Sequence, residues 1–145
     1  MPVISGQWSV ASGRWPAKET GEPVKVKSYA DLDVWRKGMD LVVEVYEATA
    51  RFPKEEVFGL TAQLRRAAVS VPSNIAEGQA RRSRAEFLHH LSFAHGSLAE
   101  LETHVLIAER LRYLQPARSA QLMGSSAEVG RMLNGLYNAL STKRA

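Results

Sequence analysis

The chain has no cysteine. That excludes a disulfide scaffold, a thiol nucleophile and a cysteine-ligated metal, and it fits a reducing cytosol, so a cytoplasmic location is expected. No apolar run approaches the roughly 20 residues that a membrane span needs. The N-terminus lacks the basic start and apolar core of a secretory signal. Nothing reads as a strand bounded by turn signals. The sequence also lacks a G-x-S-x-G nucleophile motif, a P-loop and a Gly-rich dinucleotide fingerprint. Nucleophilic catalysis, a nucleotide cofactor and a membrane partner are therefore not expected.

What remains is 145 residues, 45% of them hydrophobic, which is enough for one domain with a real core. The net charge of +4 is segregated: residues 59–84 and 109–145 each carry +4, while residues 31–58 and 85–108 each carry −3. Basic charge concentrated in this way suits a polyanion, most often nucleic acid. A solvated surface on a modestly basic protein accounts for it equally well.

Residues 1–28 mix Gly, Ser and Pro with isolated charges and show no period, so a flexible tail is expected despite Trp8 and Trp15. A helix is expected from about Ser28 or Asp31, either of which can cap it. Its apolar rows are Trp35, Val42, Thr49 and Gly38, Val45, Phe52, widened by Met39, Leu41 and Tyr46. Pro53 ends it. In the second helix Leu60, Leu64, Ala67 and Val71 form a stripe, and Pro72 kinks it or breaks it in two, at a cost of about 3 kcal/mol. The third helix carries Phe87, Leu91, Ala94, Leu98, Leu101, Val105 and Ala108 and runs to Leu114. Ser83 and Glu86 make a capping box at its start. Pro116 opens a fourth helix with Leu122, Ser126, Val129, Leu133, Leu136 and Leu140. The predicted fold is all-α: an antiparallel up-down four-helix bundle over residues 29–143, its second helix kinked at Pro72.

Three constellations carry potential chemistry. Glu86 and His89 have the E-x-x-H spacing of carboxylate-bridged metal bundles, but the other ligands such a site needs are missing, so no metal is expected. Ser70, Ser73, Asn74 and Glu77 form a polar group inside a helix. They suit bonds to backbone groups freed by Pro72, or a polar core layer, better than catalysis. Arg65, Arg66, Arg81, Arg82 and Arg84 are the prime candidates for phosphate contact, since a guanidinium binds phosphate bidentately. Arg110, Arg112, Arg118 and Arg131 are the second choice. One arginine of the first pair, Arg66 before Arg65, is expected to be claimed by the core.

A resemblance emerges from several motifs in order. They are Leu32-Asp33-Val34-Trp35, Phe52-Pro53, Phe58-Gly59-Leu60, the run from Gln63 to Ser70, Ser73 to Gly78, and Gly96 to Leu101. Together they resemble the bacterial four-helix-bundle family that includes proteins encoded in intervening sequences of 23S rRNA genes. The accessory variability determinants of diversity-generating retroelements are relatives. The match covers roughly residues 29–140. The resemblance implies a homo-oligomer, a pentameric ring of bundles, without enzymatic activity. The retroelement relatives bind nucleic acid through basic surfaces and associate with a reverse transcriptase. It also implies structural roles for Ser73, Asn74, Gly96 and Ser97, with Gly96 and Ser97 permitting close helix approach. Ser70, Ser73, Asn74, Glu77 and Ser97 would then form a polar layer that sets helix register.

The resulting expectation is a homo-oligomer that binds RNA or DNA phosphates, with service as a reverse-transcriptase accessory protein as its specific form. A protein–protein adaptor with an incidental basic face is the alternative. A metalloprotein using Glu86 and His89 comes last.

Overall fold

Each of the four apolar stripes folds as a helix. In this computed structural model, which describes residues 29 and 32–142, α1 spans Asp33–Thr49, α2 Leu60–Ala80, α3 Arg84–Arg110 and α4 Pro116–Thr142. A short 3-10 turn, Lys54–Glu56, lies between α1 and α2. The tail expected over residues 1–28, with Trp8 and Trp15, falls outside the described residues. Among the described residues there is no strand, and the fold is an all-α four-helix bundle.

Contacts between consecutive helices run in opposite senses along the chain. Arg65 meets Thr49 while Pro72 lies against Gly38. Ser70 meets Ser97 while Gly78 lies against His90. Ser126 meets Glu102 while Asn134 meets His95. Two contacts close α4 back onto α1, Lys37 with Glu128 and Ser125 with Glu44. Sequence neighbours thus lie side by side, and diagonally opposite helices make no close approach.

The core lies on the stripes. In α3, Leu91, Ala94, Leu98, Leu101, Val105 and Ala108 are all buried, and in α4 Leu122, Ser126, Val129 and Leu133 are. In α2 the buried row Leu64, Val71 and Ile75 explains why the helix survives its proline. Burying each such side chain contributes about 1.5–3 kcal/mol, so together they outweigh the roughly 3 kcal/mol a helical proline costs. Accordingly α2 continues through Pro72 as one helix and is not broken in two. The Pro72 ring is itself buried and sits opposite Gly38 of α1.

Several boundaries differ from expectation. Leu32, not Ser28 or Asp31, occupies the position before α1, and its side chain makes no capping bond. The helix stops at Thr49 rather than at Pro53, and the Thr49 hydroxyl donates to Val45 O at 2.8 Å. This back-bond draws the last turn onto its own side chain. Met39 and Tyr46 lie on the exposed side of α1 and do not widen the buried stripe. At α3, Ser83 caps as expected, its hydroxyl accepting from Glu86 N at 3.2 Å. The other end comes before Leu114, because Arg112 takes a left-handed conformation with φ 65. Arg112 N then bonds Glu109 O and Tyr113 N bonds Ala108 O, each at 2.9 Å. That is the Schellman closure of a helix C-terminus, with arginine where glycine is usual.

Candidate nucleic-acid interface

The nine candidate arginines do not share one face. Arg81, Arg82 and Arg84 bracket the α2–α3 turn, while Arg110 and Arg112 flank the α3–α4 turn and Arg118 lies in the first turn of α4. The 27 residues of α3 separate these two ends by about 40 Å at 1.5 Å per residue. Arg66 and Arg131 project from α2 and α4, which are not in contact. The single basic face suggested by the charge pattern is replaced by two basic ends.

Several of the nine are engaged in ways that decide their availability. Arg65 is half-buried: its Nε donates to the Thr49 hydroxyl at 2.9 Å, and its guanidinium lies 4.4 Å from the centre of the Tyr46 ring. It is Arg65, not Arg66, that the bundle claims. No carboxylate pairs with it: Glu77 pairs with Arg81 at 2.8 Å and Glu100 with His104 at 3.4 Å. Arg118 is a strut between α4 and α1, donating to Gln121 Oε1 at 3.0 Å and to Glu44 O at 3.4 Å. Arg112 carries the left-handed residue of the α3 closure. Exposed, and without hydrogen-bond or ion-pair partners among the described residues, are the side chains of Arg66, Arg82, Arg110, Arg112 and Arg131.

The polar layer exists but with different members. Ser70 and Ser97 hydroxyls lie 2.8 Å apart across α2 and α3. The Asn74 amide donates to Ser70 O at 2.9 Å and to the Ser70 hydroxyl at 3.0 Å, and its oxygen lies 3.2 Å from His90 Nδ1. Ser73 and Glu77 are exposed and stand outside it. They lie four residues apart on the outward side of α2, off the face that buries Val71, Ile75 and Gly78. His90 is the member that sequence reasoning missed. An antiparallel pairing of Ser70 with Ser97 places Asn74 one turn away against His90, which is the signal that could have found it. Gly96 has nothing within 4 Å of where a Cβ would stand, so it does not mediate close approach. Gly78 does: a Cβ there would lie 2.6 Å from His90 Cβ and 3.0 Å from the Phe87 ring.

A second set of polar contacts joins α4 to its neighbours. The buried Ser126 hydroxyl donates to Glu102 Oε2 at 2.6 Å, and Ser125 donates to Glu44 Oε1 at 3.0 Å. Both carboxylates look like surface charges in the sequence. Glu86 and His89 are both exposed, and His89 packs edge-on against Phe93 at 4.4 Å. No group of three or more His, Asp or Glu side chains among the described residues is placed to hold a metal ion. None of their helices is long and apolar enough to cross a membrane.

Comparison with known proteins gives this architecture a context. A crystal structure of a protein of unknown function from the S23 ribosomal protein family of Bacteroides thetaiotaomicron has the same fold. It superposes with a TM-score of 0.67 at 22% identity, covering 72% of this chain and 95% of that one. No curated protein is significantly similar to the chain. The family model for the 23S rRNA-intervening sequence protein matches residues 30–135, the whole bundle but for the end of α4. With its stripes, its Ser83 cap and its helix order falling inside that match, the chain belongs to the 23S rRNA-intervening sequence protein family.

Proposed function

We propose that this protein is a non-enzymatic, homo-oligomeric bundle of the cytoplasm that binds RNA or DNA through phosphate contacts. The observation that carries the reading is the pair of basic ends: Arg82 at one, Arg110 and Arg112 at the other, all exposed and unpaired among the described residues. An unpaired guanidinium at a turn is free to form a bidentate phosphate contact without breaking an existing bond. Arg65 and Arg118 leave the interface, because each is committed to packing between helices. Copies packed side by side in a pentameric ring would gather the arginines of each end into a rim. Such a rim reads backbone charge rather than base sequence. Service beside a reverse transcriptase of a diversity-generating retroelement is the specific setting proposed for it.

The test is binding of a labelled single-stranded RNA, and the matched DNA, at about 50 and 200 mM salt. Affinity should fall steeply between the two as counterions are released. Replacing Arg82, Arg110 or Arg112 by Gln should reduce the salt slope by about one for each phosphate that the arginine neutralises. Salt-independent affinity, or no binding at the lower salt, overturns the proposal. Light scattering on the same preparation reads the oligomer.

A second reading, a protein–protein adaptor, is favoured by one observation. Met39, Val43 and Tyr46 form an apolar row on the outer side of α1, and Val43 is 55% exposed. Capture of a protein partner that survives nuclease treatment would favour the adaptor.

A further inference from the structure

The corner where α1 turns into α2 holds a cavity of about 390 Å³. Two features distinguish it from an ordinary surface hollow: its charge and a guanidinium already held in place. Its cationic groups are Arg65 and Lys54, and no carboxylate lines it. Glu56, in the turn beside it, is committed elsewhere, to Leu60 N and to the Tyr113 hydroxyl.

The guanidinium of Arg65 is oriented before any ligand arrives. Thr49 accepts from its Nε, while the Thr49 proton is spent on Val45 O. Tyr46 lies against the guanidinium from one side. The Nη atoms make no further hydrogen bond among the described residues. Thr61 is the second polar group of the cavity wall. It is only 6% exposed, and among the described residues its side chain has no hydrogen-bond partner. Lys54 at the rim has no ion-pair partner among the described residues either. The rest of the wall is apolar, from Phe52, Pro53 and Val57.

We infer that this cavity binds a small organic carboxylate with an apolar body. One guanidinium edge, one ammonium and one hydroxyl match the two oxygens of a monoanion. The hydrocarbon walls suit the remainder of such a molecule better than a fully hydrated dianion such as phosphate. The volume lies in the range of small-ligand sites. The site is remote from one of the two proposed phosphate-binding ends: Thr61 lies in the first turn of α2, and Arg82 lies beyond its far end, about 30 Å away at 1.5 Å per residue. It shares its end of the bundle with Arg110 and Arg112, because Phe52 of its wall packs against Tyr113. The inference goes beyond the nucleic-acid reading and does not depend on it.

Titration of the ¹⁵N-labelled protein with benzoate, and in a parallel arm with inorganic phosphate, tests it. Benzoate should give saturable shifts at Val57, Thr61 and the Arg65 Nε–H group. Thr61→Val, which keeps the shape of the side chain, should weaken benzoate about fivefold by removing one hydrogen bond. Arg65→Gln should weaken it more than about tenfold by removing a charge-assisted one. Because Arg65→Gln also breaks the bond to Thr49, the exposed Lys54→Met gives an independent reading of the charge contribution and should weaken benzoate severalfold. Shifts that do not saturate, or that fall away from the cavity, overturn the inference. So does unchanged affinity in folded Thr61→Val and Lys54→Met proteins. Phosphate binding as tightly as benzoate would overturn the assignment to a carboxylate with an apolar body.

Discussion

The Tyr113 hydroxyl donates to Glu56 Oε2 at 3.1 Å, while the other oxygen of the same carboxylate accepts the backbone N–H of Leu60 at 3.0 Å. One side chain therefore caps α2 and ties it to the turn after α3, and Phe52 packs against the Tyr113 ring at 5.5 Å. The bond to Glu56 first, then burial, then the charges of Glu56 and Glu55 raise the phenol above its ordinary 10.0. A raised folded value means that the protonated form is favoured by the fold. The contribution to stability is complete below the unfolded value of 10.0 and is lost as pH rises through the raised one. Tyr113→Phe should lower the melting temperature near neutral pH, and the gap to the parent should close above about pH 10. Melting curves across that range check it; a constant gap would refute the linkage.

Gly78 and Gly96 make a matched pair. A methyl group at Gly78 would meet His90 Cβ at 2.6 Å, whereas one at Gly96 meets nothing within 4 Å. Gly78→Ala should destabilise by about 1–3 kcal/mol through overpacking, more than the helix-propensity gain returns. Gly96→Ala should stabilise by about 0.5–1 kcal/mol, since only propensity changes. Urea unfolding of both variants reads the opposite signs.

Replacing Asn74 with Leu removes its bonds to Ser70 and strands half-buried His90. A drop in stability of about 1–3 kcal/mol is expected, with reduced cooperativity or a disturbed oligomer. Ser73→Ala, one residue away but exposed, should stay within about 0.5 kcal/mol of the parent. An unchanged oligomer and melting curve for Asn74→Leu would show that the layer does not set the register.

Arg112 holds a left-handed backbone that glycine adopts without strain. Arg112→Gly should raise stability by about 0.5–1 kcal/mol, the relief of strain being partly offset by a more flexible unfolded chain. Thermal unfolding checks the stability. The nucleic-acid proposal adds that the same variant binds more weakly and with a shallower salt slope, so stability and binding should move in opposite directions.

Much of this protein is determined by its sequence alone, because helix formation and facing are local. A 3.6-residue period places Leu91, Ala94, Leu98, Leu101, Val105 and Ala108 on one side of α3 without reference to any other helix, and all are buried. Ser83 caps its own helix through Glu86, three residues on. The motifs shared with the family are likewise strings of neighbouring residues. What the tertiary structure decided is the offset between helices. That offset follows from close contacts such as Gly78 against His90, which no periodicity encodes. It chooses Arg65 over Arg66 for the core, because Thr49 and Tyr46 of α1 come to rest beside Arg65. The same offset brings His90 into the polar layer and leaves Ser73 and Glu77 in solvent. Arginines that are neighbours in composition are sent to two ends of a long helix, because a charge run in the chain has no direction until the helix carrying it has a partner.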